Sequence, residues 1–284
     1  MTDRATPQQS PDRAAPEAQA PQPPPTCAAP QPPPDRVESQ TPPDRAEPQQ
    51  PPGAESQAPP DREPSLDALA AAWRERRSAR AFRPEPIPRE ALVALFAAAQ
   101  HAPSWCNVQP WRVVVTEPPR TAELAAALQA AARSGLPQAE VPFPLDYPPP
   151  YKQLRVECGK ALYQAMGVAR EDKQGRYDAW LRNYALFDAP HAAIVSCDRR
   201  LGPYAYVDVG VWLGYVLTAA AALGIDTCPM ASVAAYPAPL RRLLPIAETD
   251  AILFGIALGR ADDGAPANAC RTTREPVSAN VTFV

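Results

Sequence analysis

Two short segments carry the residue types that could do chemistry. The first, Arg76-Arg77-Ser78-Ala79-Arg80-Ala81-Phe82, places three guanidiniums within five residues at the expected end of a helix. Guanidinium groups form forked, charge-assisted hydrogen bonds to phosphate oxygens, and a serine adds a hydroxyl or amide donor. Charge alone leaves two readings open, an anion site or a solvated basic end of a helix. The second segment, Ala102-Pro103-Ser104-Trp105-Cys106-Asn107-Val108-Gln109-Pro110-Trp111-Arg112, joins a helix to a strand. Its carboxamides, hydroxyl and two indole rings suit a planar heteroaromatic ligand with alternating donors and acceptors on its edge. Taken alone, it also reads as a well-packed turn.

Other chemistries lack their residues. The two histidines, His101 and His191, lie far apart, which argues against a histidine metal site and against a Ser-His-Asp triad. Both read as structural. No GxGxxG and no GxxxxGK[ST] occurs among the 12 glycines. Gly210-x-x-x-Gly214 reads as a close helix-packing position. An enzyme built from this chain therefore needs a bound cofactor for the difficult step. The six cysteines form no CxxC pair. With no export signal in residues 1–30, they read as reduced thiols of a cytoplasmic protein.

The elements that must position these segments begin near Ser65. Residues 1–64 hold 19 of the 40 prolines and lack Leu, Ile, Phe, Tyr and Trp. Such a stretch buries too little apolar surface to offset its ordering entropy, so it reads as a disordered Pro-rich tail. Pro-Asp-Arg recurs in it at 11–13, 34–36, 43–45 and 60–62. This is either a docking arm or a low-complexity extension without a partner, and composition favours the latter. The tail carries −5 of the chain's net −3, leaving +2 on residues 65–284. A near-neutral domain argues against a nucleic-acid surface, and no run reads as long and charge-free enough to span a bilayer.

From Ser65, a good N-cap, one domain is expected. A helix opens at Ser65, with Leu66, Leu69, Ala70 and Trp73 at helical spacing, and further helices fit 89–101, 119–133 (ending at Gly135), 152–170 and 173–187. Strands fit 113–115, 192–197, 226–230 and 251–258. Residues 136–150 contain six prolines and read as a loop. Residues 204–223 are apolar nearly all round, so this helix should be buried, in the domain or against a second subunit. Residues 265–284 lack a helical period and read as an extended arm. Helices and strands mix without a repeating βα unit, which predicts α+β.

RRSxRxF followed by APSxxNxQPWR resembles the opening of the nitroreductase family. Two further blocks agree in order and spacing: Gly224-Ile225-Asp226-Thr227-Cys228-Pro229-Met230-Ala231-Ser232 and Asn268-Ala269-Cys270-Arg271-Thr272-Thr273-Arg274. The similarity covers roughly 70–284 and is nearest the nitrobenzoate-reductase-like branch. It implies a mostly antiparallel central sheet flanked by helices, in a domain-entwined homodimer that binds FMN at the subunit interface. It further implies that Arg76, Arg77, Ser78 and Arg80, with Arg271 and Arg274, hold the FMN phosphate and ribityl groups. Pro103, Ser104, Trp105, Asn107 and Gln109 would approach the flavin ring from the partner subunit, and Pro229, Met230, Ala231 and Ser232 would lie along it. No side chain is implied as catalytic, because the flavin carries the chemistry: hydride arrives from NADH or NADPH and leaves to a nitroaromatic or quinone-like acceptor in ping-pong order.

Trp105 departs from the small residue of many relatives and, with Tyr151, is the candidate substrate contact. Lys152 and Arg155 are candidates for the cation near the flavin pyrimidine edge. Other members of the fold act as azoline oxidases or dehalogenases, or break down the flavin. A non-catalytic Pro-rich interaction protein is the reading from a different class.

Overall fold

A computed structural model of the chain describes residues 66–284. The expected disordered tail and the Ser65 cap lie outside the described residues. In chain order the elements are α1 (Leu66–Glu75), α2 (Arg89–Ala99), β1 (Trp111–Thr116), α3 (Arg120–Ser134), α4 (Tyr151–Ala165), α5 (Lys173–Leu181), β2 (His191–Asp198), α6 (Pro203–Ala222), β3 (Asp226–Met230), α7 (Pro237–Leu243), β4 (Asp250–Gly259) and α8 (Val277–Asn280). The strands form one sheet in the order β1-β2-β4-β3, and each neighbouring pair is antiparallel. The α+β expectation holds.

β2 is central, and its apolar run His191–Cys197 is buried throughout, as a strand covered on both faces requires. Alternate residues feed two cores. Ala192 and Ile194 join Leu124, Leu128, Tyr184, Leu186 and Leu240 on one face. Ala193, Val195 and Cys197 join Leu92, Leu95, Trp111, Val209, Trp212 and Val216 on the other. There Trp212 stacks between Phe96 at 6.3 Å and Trp111 at 6.1 Å. Full burial of each such ring contributes about 1.5–3 kcal/mol. His191 is structural, as expected. Its Nε2 accepts the Ile87 N–H at 2.9 Å, which leaves Nδ1 to donate to the Thr116 carbonyl at 3.2 Å.

Several expectations need correction. Arg76–Phe82 begins at the end of α1, as expected, with the Arg76 N–H still donating to the Ala72 carbonyl at 3.0 Å, but it continues as an extended segment. α1 stops at Glu75, and the segment is extended because the rest of the fold supplies its backbone partners: Ala79 N–H donates to Thr227, Phe82 N–H to Phe187 and Arg83 N–H to Arg260. The helix expected at 152–170 ends at Ala165, and that expected at 173–187 ends at Leu181. Leu186, Phe187 and Asp188 then turn with positive φ. Gly135 caps α3 in an extended rather than left-handed conformation. The C-terminal arm contains short helical turns at Pro266–Ala269 and Val277–Asn280.

α6 is buried on one face only. Val209, Trp212, Val216 and Ala220 are buried against α2 and the sheet. Tyr204, Val207, Val211 and Tyr215 form an exposed stripe on the opposite side. Gly210 and Gly214 lie on that stripe, and a Cβ at either would meet nothing within 4 Å. The close packing expected there is absent among the described residues. By length and composition α6 is also apolar enough to cross a membrane, contrary to the sequence expectation. In this domain, its Val209, Trp212, Val216 and Ala220 face packs into the core instead.

Candidate active site

Three of the four motif blocks converge. Ser78 bridges to Thr227 in parallel register, which sets Arg76–Arg80 beside the start of β3. Asn268 then locks the segment from its far side. This buried carboxamide accepts the Arg80 N–H at 2.6 Å and donates to the Ala81 and Asp262 carbonyls, each at 2.8 Å. Gly259 permits the approach, because a Cβ there would sit 2.8 Å from Pro190 and 2.9 Å from the Phe82 ring. Gly224 provides the left-handed turn, φ 65°, that swings the chain from α6 into β3.

The result is a basic cavity of about 630 Å³ whose lining includes Arg76, Arg77, Ser78, Arg80, Arg271 and Arg274. Arg77 is neutralised by Asp226 at 3.8 Å and Asp263 at 2.7 Å. Arg76, Arg80, Arg271 and Arg274 have no carboxylate partner among the described residues. Three of them are held by main-chain oxygens. Arg80 donates to the Ser78 carbonyl, Arg271 to those of Asn268 and Cys270, and Arg274 to those of Thr272 and Thr273. Each of these contacts is made through Nη1. Burial and the neighbouring Arg274 guanidinium lower the Arg76 pKa. Two like charges gathered in a half-buried pocket are costly unless an anion joins them.

Pro229 to Ser232 continue from this cavity along the edge strand β3. Met230 is buried, and the Ser232 hydroxyl donates to Asn183 Oδ1 at 3.4 Å. Pro229 and Ser232 are half-buried and Ala231 is exposed.

The fourth block lies elsewhere. The loop after α2 is clamped to the opposite end of α6, where the Trp105 N–H donates to Asp208 at 3.1 Å. The Trp105 ring meets Tyr204 edge-on at 5.2 Å, and the two side chains are 62% and 65% exposed. Ser104 Oγ accepts the Gln109 N–H at 2.9 Å, and the Gln109 carboxamide donates to Asn107. Cys106, Asn107 and Gln109 all have positive φ, between 49° and 55°. Such backbone costs energy for non-glycine residues and concentrates at functional sites. Along α6, Asp208 and Thr218, which accepts from Trp73 of the cavity, are about 15 Å apart. One chain therefore does not bring Pro103–Gln109 to the arginine cavity.

The cations proposed from the 136–152 region are already engaged. Lys152 pairs with Asp146 at 3.6 Å, and Arg155 lies over the Tyr147 ring at 5.3 Å. Tyr151 opens α4 and is exposed. Four positioning residues escaped sequence reasoning: Asn268, Asp208, Tyr204 and Glu140. Glu140 anchors the Pro-rich loop through Arg241 at 2.7 Å, Arg199 at 3.3 Å and the Ile252 N–H at 2.8 Å. Asn268 lies in a block the sequence singles out, but its clamping role, like the roles of the other three, is revealed only by long-range partners.

This fold, with its arginine cavity, is that of the nitroreductase family, to which the chain belongs: the family's model matches residues 73–260. A 4-nitrobenzoate reductase of Nocardioides sp. (strain LMS-CY) is 34% identical over 226 residues, covering 78% of this chain and 92% of that protein. The nitroreductase NfnB of Mycolicibacterium smegmatis is 34% identical over 235 residues, covering 78% and 95%. Among solved structures, the FMN-dependent nitroreductase NfnB from Mycobacterium smegmatis in complex with NADPH matches with a TM-score of 0.74 at 31% identity, over 77% of this chain and 99% of that one.

Proposed function

We propose that the protein is an FMN-dependent oxidoreductase that takes hydride from NADH or NADPH and reduces nitroaromatic or quinone-like acceptors in ping-pong order. The observation that carries this reading is the set of guanidiniums without carboxylate partners around one cavity, with Arg76 and Arg274 close enough to perturb each other. A phosphate monoester dianion fits that donor set, since Arg76, Ser78, Arg80, Arg271 and Arg274 supply charge-assisted donors to its oxygens. The names of the relatives support the same assignment.

Bound FMN would accept the hydride and pass electrons to the acceptor. The chain's residues have supporting tasks. The arginines fix the phosphate and so place the ring. Pro229–Ser232, along the β3 edge, would flank the ring. No side-chain acid is assigned, because solvent can supply the protons.

The reading includes a homodimer. The apolar stripe Tyr204–Tyr215 with its bare Gly210 and Gly214 would pack on a second copy. The arm beyond Pro276 exposes Val277, Val281, Phe283 and Val284 and suits the same role. The partner's Pro103, Ser104, Trp105, Asn107 and Gln109 would then complete each site, which explains why one chain leaves the two half-sites apart. Trp105 and Tyr151 would contact the acceptor.

The full-length chain should purify yellow or become so with FMN, and should oxidise NADPH or NADH in the presence of a nitroaromatic. Stopped-flow absorbance should show flavin reduction by the nicotinamide before acceptor is added. FMN-loaded protein that turns over neither nicotinamide would overturn the assignment.

A further inference from the structure

The arginine cavity holds a second chemistry that phosphate binding does not use. Cys158, an exposed residue of α4, and the half-buried Cys270 line it together with Arg76, Arg80, Arg271 and Arg274. They come from distant parts of the chain, α4 and the turn after Pro266–Ala269, which pack against each other. The other described thiols are placed differently. Cys197 and Cys228 are buried, and burial raises both pKa values, that of Cys228 to about 11. Cys106 is exposed on the strained loop, outside the cavity. Two accessible thiols therefore share a pocket with four cations that lack carboxylate partners among the described residues.

We propose that Cys158 and Cys270 form a thiol-modification site that selects anionic low-molecular-weight disulfides, and that the adduct closes the cavity to phosphate ligands. The guanidiniums concentrate a carboxylate-bearing disulfide at the thiols. A thiol there loses its proton to solvent, and the thiolate attacks one sulfur of the disulfide. The protein–sulfur bond forms as the reagent's S–S bond breaks, and the departing thiolate takes a proton from solvent. The added group brings carboxylates to Arg76, Arg80, Arg271 and Arg274 and fills the space in front of them. Cofactor loading thereby becomes sensitive to the thiol–disulfide balance, and bound FMN should protect the thiols. The functional consequence rests on the FMN reading above, whereas the charge selectivity does not.

The test uses the full-length chain, stripped of or saturated with FMN, and treated with glutathione disulfide or with the cationic disulfide cystamine. Peptide mass spectrometry follows each cysteine. In the stripped protein, Cys158 and Cys270 should react with glutathione disulfide at least about tenfold faster than with cystamine. Cys106, the internal control, should show no such preference. FMN should slow both cavity cysteines. The glutathione adduct should weaken FMN binding by about tenfold or more, dithiothreitol should restore it, and Cys158→Ser/Cys270→Ser should abolish the loss. Equal rates with the two reagents, or an adduct that leaves FMN affinity unchanged, would overturn the proposal. Reduced protein that reacts selectively but binds no FMN would sink the cofactor assignment and leave the charge-selective thiol site standing.

Discussion

The extended segment Arg76–Arg80 is fixed from three sides, by Thr227, by Asn268 and by its own salt-bridged Arg77, whereas the loop Ser104–Gln109 is tied to the domain mainly through Asp208 and Tyr204. The first keeps ordinary backbone geometry. The second carries three residues with positive φ. The contrast follows from what each region meets. A cavity of like charges must be rigid before its anion arrives, because guanidiniums free to move apart would do so and lose the forked geometry. An aromatic, strained loop exposed in the single chain would, on the proposed homodimer reading, be completed by another surface.

The comparison can be broken most severely at Asn268. Asn268→Ala leaves the Arg80 N–H and two carbonyls without partners and should cost about 2–4 kcal/mol of stability, read by urea denaturation. A loss below about 1 kcal/mol would show that the clamp is dispensable. Next come the ligands. Arg76→Ala or Arg80→Ala should each weaken FMN by about 1.5–3 kcal/mol, an affinity loss of about 10- to 150-fold by fluorescence titration. Unchanged affinity would remove the phosphate from this cavity.

Glu140 belongs to neither half-site and serves as a control for fold stability. Burial raises its carboxyl pKa, but the Ile252 amide and the Arg241 guanidinium outweigh burial and hold it below the usual glutamate range. A carboxyl with a depressed folded-state pKa stabilises the fold above its unfolded value, near 4.5, and that stability is lost as pH falls through the lower folded value. Glu140→Gln should therefore be less stable than the parent by about 1–2 kcal/mol at pH 7. The two should converge as pH drops below about 4, since the lost stability belongs to the ionised form. A gap independent of pH would refute the charge-based account.

Smaller effects are expected in the loop. Trp105→Ala should leave FMN affinity close to the parent's and raise KM for nitroaromatics about 2- to 12-fold, the value of one aromatic contact. A comparable rise for ferricyanide, which has no ring to stack, would argue against stacking. Cys106→Gly should change least, and in the opposite sense. Release of the left-handed strain should stabilise the fold by up to about 1 kcal/mol in thermal or urea melts. A clear destabilisation would mean that the loop is not strained in the single chain.

Much of this was readable from residue types in order. The apolar runs of β2 and β4, the α+β class, the structural role of His191 and the four motif blocks all follow from local chemistry, because hydrophobic period and guanidinium clusters act over a few residues. The place of Arg76–Phe82 at the end of α1 is local, but its extended course is not, because its backbone partners, Thr227, Phe187 and Arg260, lie more than a hundred residues away. The all-round apolarity of α6 predicts burial in the domain or against a second subunit, but composition does not say which face finds which neighbour; in the single chain only the Val209, Trp212, Val216 and Ala220 face is buried. The positioning roles of Glu140 and Asn268 depend on Arg241, Ile252 and Arg80, partners that no local pattern brings to them. The sequence by itself determined which side chains could hold an anion and which could meet an aromatic ring. Only the tertiary structure decided that the first set closes into one cavity while the second stands at the other end of α6, because chain reversals and burial set those distances.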